Sequence, residues 1–346
     1  MSKVCLENGS VIADYDFPYF IAEVNSSHNG RIEIAKKMVD AAAEAGCNCV
    51  KFQSWSSHSL YSRSYYRENP IAERFVKRLS MVPEQLKEMA EYCALKKIDF
   101  SSTPYEKEEV DFLVDECKAP FVKISSMEIN NLEFLRYIAQ KQIPVILSTG
   151  MSSMEEVEQA VRVIESTGNR KIVLLHCVSI YPADVSKINL NNMIGLRELF
   201  PDYPIGFSDH TLGDVAAVAA TALGASVIEK HITLDAKRIG MDNQMAMEPD
   251  ALKGLVDKCR QVKLALGSIA RVVDTEEMKQ RSNMRRSVVA TRNLRKGEII
   301  NRVDLDVKRP GTGIPPERLE ELVGCVVCND IEADTLIRES DFRRKR

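Results

Sequence analysis

The sequence lacks an apolar run long enough for a membrane span, which needs about 20 residues, or for a signal peptide. Its opening residues, MSKVCLENGSVIADYDF, interrupt every short apolar stretch with polar or charged residues. We therefore expect no membrane partner and predict a cytoplasmic protein.

An excess of positive charge is also missing. Lys and Arg number 47 against 50 Asp and Glu, which gives a net charge of -3. Proteins that bind nucleic acid through their overall field are usually strongly basic, so we expect no nucleic-acid partner. Any anionic ligand has to be held by a local group of cationic side chains.

The cysteines form no metal or disulfide pattern. There are nine, an odd number with irregular spacing. Cys325 and Cys328 make a single CxxC, but no second pair of ligands lies nearby, and the sequence CVVC is typical of a buried strand. We interpret them as core residues of a protein with reduced thiols.

Eight short apolar segments, each followed by a segment with helical periodicity, predict alternating strands and helices. No GxGxxG follows the first strand, and eight such units favour a closed (β/α)8 TIM barrel in the α/β class over an open sheet. The 346 residues fit one barrel and a small further domain. The predicted strands are FIAEV near residue 20, NCVKFQ near 48, IDFSST near 98, PFVKIS near 120, PVILST near 144, IVLLHCV near 172, PIGFSD near 204 and SVIEKHI near 226.

Three further segments have a recognisable pattern. An Asn8-Gly9 turn predicts a hairpin at residues 3–13 that closes the bottom of the barrel. Residues 54–82 form a polar and aromatic insertion, which we predict to be a functional loop on the catalytic face. SMEEVEQAVRVIESTG predicts a helix capped by Ser153 and ended near Gly168.

The pattern changes near residue 280, where short β-branched runs, frequent Gly and Pro, and one brief helix in PPERLEELVG follow. We therefore place the barrel at residues 1–280 and a small strand-rich domain at 285–346. The second domain is too small to bury a large core, so we expect it to dock on another surface.

Polar residues stand at the carboxyl end of every predicted strand, where barrels of this type build their catalytic sites. Lys51 and Lys123 supply cations, and several hydroxyls accompany them, which suits a phosphate and a carboxylate. The hydroxyl residues are Thr103, Ser126, Ser148 and Ser208.

Two histidines and three carboxylates complete this set. His210 and His231 end adjacent strands, so their imidazoles can face one divalent cation. Two protein ligands leave positions open for water and substrate, as Lewis-acid catalysis needs. Glu23, Glu229 and Asp242 are the candidates for acid–base catalysis.

The strand-end motifs resemble, in the same order, those of the sialic acid (N-acetylneuraminate or nonulosonate) synthase family. The last 60 or so residues, with SVVATRNLRKGE and VKRPGTGIPPERLEELVG, resemble the antifreeze-like (SAF) domain of that family. The barrel segments that carry the resemblance are FIAEVNSSHNG, VKFQ, SSTPY, VKISSMEINN, LSTGMSS, LLHCVSIYP, GFSDHT, IEKHITLD and MEPDAL.

The resemblance implies metal-dependent condensation of phosphoenolpyruvate with an N-acylated hexosamine, typically N-acetylmannosamine. The products are a nine-carbon 2-keto-3-deoxy acid and phosphate. It assigns phosphoenolpyruvate to the two lysines and four hydroxyl residues named above, and Mn²⁺, or else Mg²⁺ or Co²⁺, to the two histidines.

The same resemblance gives roles to the remaining residues. Glu23 would handle a proton at the reacting carbon. Arg309, in VKRPGTG, matches an arginine that reaches the N-acyl group in the active site of the partner subunit, which implies a domain-swapped homodimer. The residues that would contact the sugar or the waters of the cation are Gln53, Tyr181, Glu229 and Asp242.

Two segments depart from the family pattern. Ser179 stands where asparagine is frequent, beside a phosphate or carboxylate contact. Residues 243–245, Asn-Gln-Met, replace a histidine-containing stretch beside the sugar. The sugar therefore stays open, and a di-N-acetylated 6-deoxyhexose, leading to legionaminic or pseudaminic acid, is an alternative.

Other functions are also open at this point. A phosphorylated hexosamine is one variant, and an aldose phosphate on the same barrel, giving a 3-deoxyoctulosonate or heptulosonate phosphate, is another, although it needs no C-terminal domain. Ice or carbohydrate binding by the small domain alone is a third, opposed by its many arginines and lysines.

Overall fold

A computed structural model describes residues 2–238 and 240–344, and the chain divides into two compact units, Met1–Gly267 and Ser268–Arg346. The boundary between the units therefore lies about one helix before residue 280, where the sequence pattern changes. No helix among the described residues is both long and apolar enough to cross a membrane.

Eight parallel strands form the centre of the first unit, as the alternation of strands and helices predicts. The first of them pairs with the last, and Ser101 Oγ donates to the carbonyl of Phe121 (3.1 Å) where the remaining two edges meet, so the barrel is nearly closed. After two short strands, β1 (Lys3–Cys5) and β2 (Val11–Ala13), the barrel strands are β3 (Tyr19–Glu23), β4 (Cys49–Gln53), β5 (Asp99–Thr103), β6 (Val122–Ile124), β7 (Val145–Ser148), β8 (Ile172–Cys177), β9 (Ile205–Asp209) and β10 (Val227–His231).

Helices connect these strands and cover the outside of the barrel. Short 3-10 turns occur at Ser126–Glu128 and Val185–Lys187, and a π-helical turn at Phe112–Glu116. The helices are α1 (Ile32–Glu44), α2 (Arg63–Glu68), α3 (Pro70–Leu79), α4 (Pro83–Leu95), α5 (Lys107–Asp111), α6 (Leu132–Gln140), α7 (Met154–Glu165), α8 (Asn192–Leu199), α9 (Val215–Ala222) and α10 (Pro249–Leu266).

Helix α7 shows how local sequence sets these elements. Ser153 Oγ accepts the N–H of Glu156, and the Glu156 carboxylate accepts the N–H of Ser153 at 2.8 Å, a capping box that fixes the first turn. Val157, Ala160 and Ile164 recur at helical spacing and are buried against the barrel. Gly168, with φ of +86°, ends the segment as the sequence predicts.

The N-terminal hairpin lies where the Asn8-Gly9 turn predicts it. Strands β1 and β2 pair antiparallel, and Leu6 N–H donates to Ser10 O. Val4, Leu6 and Ile12 are buried in one cluster with the apolar residues that fill the interior of the barrel at its amino-terminal end. The hairpin therefore closes the bottom of the barrel, and the polar strand ends are left at the other face.

The insertion after β4 is more ordered than predicted. Helices α2 and α3 occupy much of residues 54–82, where the sequence predicts a loop. Trp55, Tyr66, Val76 and Leu79 form a separate apolar cluster. Val76 and Leu79 lie three residues apart on the buried face of α3, which is the spacing of an amphipathic helix, and Pro70 at its first position starts that helix.

The second unit is a small strand-rich fold with its own core, which includes Val288, Ile300, Leu322 and Ile337. Its brief helix lies in PPERLEELVG, as predicted, and it also contains a helix that the sequence did not indicate, next to the boundary. The elements are α11 (Thr275–Met284), β11 (Ser287–Ala290), β12 (Leu305–Lys308), α12 (Leu319–Leu322), β13 (Val326–Val327) and β14 (Phe342–Arg343), with β11 antiparallel to β12 and β13 to β14.

The CxxC pair lies in this second core only in part. Cys325 is buried and donates to the Glu321 carbonyl at 3.2 Å, whereas Cys328 is half-buried at the end of β13. In the part of the chain that the structure describes, no third ligand completes a metal site there. The prediction of a core residue is correct for Cys325 and only partly so for Cys328.

Candidate active site

A pocket of about 380 Å³ lies at the carboxyl end of the barrel strands. Every site residue that the sequence predicts in the barrel contributes to its lining, which places all of them in one cavity. These residues are Glu23, Lys51, Gln53, Thr103, Lys123, Ser126, Ser148, Ser179, Tyr181, Ser208, His210, Glu229, His231 and Asp242.

Strand alternation explains why these residues meet. Glu229 and His231 on β10 face the pocket, while Lys230 between them points to the outside of the barrel and pairs with Asp209. In the same way Ser208 and His210 face the pocket on either side of Asp209. Successive strand side chains point to opposite faces, so each strand supplies at most two or three groups to the cavity.

One side of the pocket is cationic and rich in hydroxyls. Lys123 Nζ donates to Ser148 Oγ at 2.7 Å, and Lys51 Nζ donates to Thr103 Oγ1 at 3.2 Å. Both lysines are 3% exposed. Glu229 lies 3.7 Å and 3.8 Å from the two ammonium groups and compensates part of their charge. The ammonium and hydroxyl donors that remain suit this side to an anionic ligand.

The backbone of Gly150 contributes to the same side. Its N–H donates to Ser126 Oγ at 2.9 Å, and a Cβ at this position would lie 2.3 Å from Ser179 Oγ and 2.8 Å from Ser126 Oγ. Only glycine leaves both hydroxyls in place. Any side chain at position 150 would displace the Ser126 and Ser179 hydroxyls that line the cavity, so glycine is required there.

Two buried carboxylates have opposite pKa shifts. Burial raises the pKa of Glu23 even though the Lys51 ammonium contacts it and acts in the other direction. Burial alone would also raise the pKa of Glu229, but Lys123, Lys51 and the Ser208 hydroxyl hold it below the usual value. Glu23 is therefore the group prepared to carry a proton, and Glu229 stays ionised.

The two histidines lie side by side. Their ring centroids are 5.5 Å apart, and His231 Nδ1 is 3.9 Å from Asp242 Oδ2. Burial, together with His210 and three lysines, holds the pKa of His231 well below its usual value, so its imidazole is neutral, as a metal ligand requires. Tyr181 covers both rings, with centroids 4.3 Å and 6.4 Å from them.

His210 is oriented by the backbone of the preceding strand. Its Nδ1 lies 2.8 Å from Val178 O, so Nδ1–H donates there and Nε2 is left for another partner. Burial lowers the pKa of His210, but Cys177 and the Val178 carbonyl more than offset this and raise it. Nε2 is therefore the ring atom available to a cation once the imidazole is neutral.

The donor set fits a divalent cation that keeps part of its water. Among residues 2–238 and 240–344, no group of three or more His, Cys, Asp or Glu side chains is arranged to hold a metal ion. His210 and His231, with the Asp242 carboxylate nearby, are the donors that this part of the pocket offers, and the binding of a cation by them stays a prediction.

Several pocket residues were missed by the sequence analysis. Gln53 Nε2 donates to Glu23 Oε1 at 3.1 Å, while Gln53 Oε1 accepts from Trp55 Nε1 (2.7 Å) and from the Tyr105 hydroxyl (3.2 Å). Trp55 and Tyr105 therefore fix the amide of a predicted sugar ligand. Each lies two residues after a strand end, in KFQSW and SSTPY, and this place in the sequence could have indicated that they line the pocket.

Asn25 was missed in the same way, although it follows Glu23 in FIAEVNSS. It is 5% exposed and lines the pocket. Its backbone N–H donates to Glu23 Oε1 at 2.8 Å, and its side-chain amide donates to Asp242. Asn25 therefore connects two of the three predicted acid–base residues.

The unusual segment 243–245 does not reach the pocket. Asn243 is buried, and its amide bonds to Thr233 Oγ1, Asp235 O and Arg238 O at 2.7–3.0 Å. Asn243 therefore fixes the loop that carries Asp242. Met241 and Asp242 line the cavity instead, so the departure in sequence affects loop structure before it affects the sugar site.

Arg309 lies in the second unit, directly after β12, and is exposed. The loop that carries it is well anchored: Ser287 Oγ donates to Pro310 O at 2.7 Å, and Gly311 N–H donates to Ser282 O at 2.7 Å. Its predicted contact with the active site of a partner subunit stays a prediction.

Comparison with known proteins agrees with this geometry. The profile of the NeuB family matches residues 38–271, and that of the SAF domain matches residues 285–343. The chain is 38% identical to the N,N'-diacetyllegionaminic acid synthase of Campylobacter jejuni, over 92% of this chain and 98% of that one. It is 34% identical to the N-acetylneuraminate-9-phosphate synthase of Homo sapiens, over 93% and 91% respectively.

A solved structure gives the same result for the fold. The crystal structure of the N-acetylneuraminic acid synthetase of Leptospira borgpetersenii matches with a TM-score of 0.74 and 31% identity, over 81% of this chain and 95% of that one. Family, relatives and fold agree across both units. The chain therefore belongs to the NeuB family, and it is an enzyme of the sialic acid synthase type with a SAF domain after its barrel.

Proposed function

We propose that this enzyme condenses phosphoenolpyruvate with the open-chain form of an N-acylated hexosamine, giving a nine-carbon 2-keto-3-deoxy acid and phosphate. The observation that carries the proposal is the meeting of two sets of groups in one cavity. Lys51, Lys123 and the hydroxyls form an anion-binding half, which meets the acids and histidines where Lys51 contacts Glu23. Phosphoenolpyruvate and a sugar aldehyde need these two environments next to each other.

The anion-binding half positions phosphoenolpyruvate. Lys123 and Ser148 already share a hydrogen bond, and Ser126 is held by the Gly150 N–H, so donors are in place before the ligand arrives. Preorganised donors of this kind orient a ligand with little reorganisation. They would hold the phosphate and carboxylate while carbon 3 of the enol attacks the sugar aldehyde.

The two carboxylates serve the following step. Carbon–carbon bond formation leaves positive charge on carbon 2, which the ionised Glu229 stabilises electrostatically. Water then adds to carbon 2, and Glu23, with its raised pKa, accepts one proton of that water. Phosphate leaves as the new hydroxyl loses its proton and becomes the keto group, and the two protons of the water end on the sugar alkoxide and on the phosphate. The raised pKa of Glu23 thus suits proton transfer, and the lowered pKa of Glu229 suits stabilisation of positive charge.

A divalent cation, Mn²⁺ or else Mg²⁺ or Co²⁺, belongs to the same proposal, with His210 and His231 as its protein ligands. When bound it would supply a Lewis acid for the aldehyde oxygen. His231 contributes a neutral imidazole, His210 is oriented by Val178 O, and Asp242 lies near enough to hold a water of the cation.

The nature of the sugar is a further part of the proposal. The pocket has an apolar rim, which we define as Leu60, Met127, Met151 and Met241. N-acetylmannosamine, the acceptor that the sequence analysis favours, would place hydroxyls against this rim. A di-N-acetylated 6-deoxyhexose would place a methyl and an acetyl group there, and the C. jejuni legionaminic acid synthase is the more similar of the two relatives. We therefore favour the deoxy sugar as acceptor.

A domain-swapped homodimer, in which Arg309 contacts the N-acyl group in the partner's pocket, and a cytoplasmic location complete the proposal. The anchored loop after β12 supports the first, since a fixed loop presents an arginine at low entropic cost.

The test is a substrate panel. Purified protein is incubated with phosphoenolpyruvate, Mn²⁺ and, separately, N-acetylmannosamine, its 6-phosphate, a di-N-acetylated 6-deoxyhexose and an aldose phosphate, with phosphate release and product mass as readouts. We expect the highest kcat/KM with the deoxy sugar. Phosphate release with the aldose phosphate but with none of the hexosamines, or no phosphate release with any sugar, would contradict the proposal.

A further inference from the structure

Asn25 has one unexplained polar atom. Its Oδ1 is buried and has no hydrogen-bond donor among the described residues, and Asn25 itself lines the pocket. A buried acceptor without a donor is unfavourable, and such atoms at the wall of a cavity often mark a ligand contact.

The orientation of the amide follows from its neighbours. The other atom of the carboxamide, Nδ2, donates to the Asp242 carboxylate. Reversing the amide would bring two acceptors together, so Oδ1 has to be the free atom. The backbone N–H of the same residue is used by Glu23 (2.8 Å), which leaves no freedom to turn the residue away.

The chemistry of the two substrates decides which one supplies the missing donor. Ionised phosphoenolpyruvate carries a carboxylate and a phosphate, both of which accept hydrogen bonds. An N-acylated hexosamine carries several hydroxyls and an amide N–H, all of which donate. The adjacent Asp242 carboxylate also repels an anion and is compatible with a neutral sugar.

We propose that Asn25 is a sugar-binding residue: its Oδ1 accepts a hydrogen bond from a hydroxyl or amide N–H of the acceptor sugar, while its Nδ2 holds Asp242 in position. The inference rests on the proposed function and adds to it a residue that fixes the sugar at the same site. Asn25 has φ of +44°, a left-handed conformation that asparagine adopts more readily than most residues.

The backbone conformation makes a clean deletion possible. Glycine adopts positive φ readily, so Asn25→Gly removes the carboxamide and keeps the N–H bond to Glu23. We expect the KM for the sugar to rise by about tenfold and the KM for phosphoenolpyruvate to stay within about twofold, because one hydrogen bond to the sugar alone is lost.

A second variant separates the two roles. Asn25→Asp keeps an acceptor for the sugar but replaces the donor to Asp242 by a second carboxylate. We expect it to lower kcat by about tenfold or more, because Asp242 is repelled, with a smaller rise in the sugar KM than in Asn25→Gly. This isosteric variant also decides the question if Asn25→Gly does not fold.

The matched control is Asn29→Gly. Asn29 also has positive φ, +53°, in the same loop, but its side chain hydrogen-bonds to the Ser27 carbonyl and does not line the pocket. Its kinetics should equal those of the wild type.

The outcomes separate this inference from the function it rests on. An active wild type whose two KM values and kcat are unchanged in both Asn25 variants would overturn the sugar contact and leave the proposed function standing. A rise in the phosphoenolpyruvate KM in place of the sugar KM would also overturn it. A wild type that releases no phosphate with any sugar would overturn the proposed function, and this inference with it.

Discussion

Lys230 and Asp209 form an ion pair on the outer side of the barrel wall, directly behind the two-histidine site. Lys230 Nζ lies 2.8 Å from Asp209 Oδ2 and 2.6 Å from Thr211 O, and both charged side chains are at most 2% exposed. Asp209 Oδ1 also accepts the Thr211 N–H. The pair therefore fixes the backbone on both sides of His210.

Replacing Lys230 by methionine should strongly destabilise the protein. It leaves a buried carboxylate without its cation, which typically costs about 3–5 kcal/mol, whereas replacing both partners in K230M/D209L should cost less. Urea unfolding measures both. Lys77→Met, which removes an exposed pair with Glu73, serves as the control and should change little. Equal stability of K230M and wild type would contradict the role of the pair.

Removal of the divalent cation should abolish turnover. Treatment with a chelator followed by gel filtration is expected to give inactive protein that Mn²⁺ restores. His231→Ala should fold normally, since it removes a side chain that lines a cavity, and should neither turn over nor bind Mn²⁺ in calorimetry. Full activity of metal-free protein would refute the assignment of the two histidines.

Gly150→Ala should weaken phosphoenolpyruvate binding with little effect on stability. The added Cβ has to turn the Ser179 and Ser126 hydroxyls away, and Gly150 has no positive φ that alanine would strain. We expect the phosphoenolpyruvate KM to rise by about tenfold. Gly254→Ala in α10 meets no atom within 4 Å and is the matched control. An unchanged KM in G150A would show that these hydroxyls do not contact the ligand.

Arg309→Ala should raise the KM for the sugar and leave that for phosphoenolpyruvate unchanged. If Arg309 acts in the partner's pocket, mixing inactive Glu23→Gln subunits with R309A subunits restores activity, because each mixed dimer contains one intact barrel next to one intact arginine. The assay compares the mixture with each variant alone after subunit exchange. The absence of restoration in verified mixed dimers would argue for a contact within one subunit.

Stability should fall below neutral pH partly through His28. Burial lowers the pKa of this imidazole to about 4, and its Nδ1 accepts the Gly30 N–H at 2.9 Å. The unfolded chain, with a pKa near 6.5, binds a proton that the folded state does not, so about 3 kcal/mol is lost as the pH falls from about 6.5 to about 4.

The His28→Gln variant should therefore show a flatter dependence of unfolding free energy on pH in this range. His58, whose side chain is 82% exposed, gives the control variant His58→Gln, which should follow the wild-type slope. A wild-type slope in H28Q would mean that His28 is protonated in the folded protein.

The barrel and most of its site were predictable because one rule connects them. In a parallel barrel the strand ends meet at one face, so a polar residue after each apolar run already gives its position. Lys51, Ser148 and His231 were found in this way, and the pocket contains all of them.

The residues that escaped prediction depend on long-range contacts. The role of Asn25 is visible only from its contact with Asp242, and the role of Asn243 only from the hydrogen bonds of its amide within the loop. Sequence alone does not tell an asparagine that faces substrate from one that fixes a loop. The helices of the insertion were missed for another reason: α2 and α3 are short, and their apolar residues form a small cluster separate from the barrel core.

The pairing of β3 with β10 has a consequence for synthesis on the ribosome. Glu23 lies opposite His231 in this ladder, so the first and the last barrel strands, which are made far apart in time, share one catalytic pocket. Until β10 emerges, β3 lacks one neighbour and the apolar hairpin lacks part of the interior it covers. Contacts of such long sequence separation form late, and exposed strand edges favour aggregation in the meantime. The nascent chain should therefore depend on chaperones until about residue 231, and truncations before β10 should be insoluble as well as inactive.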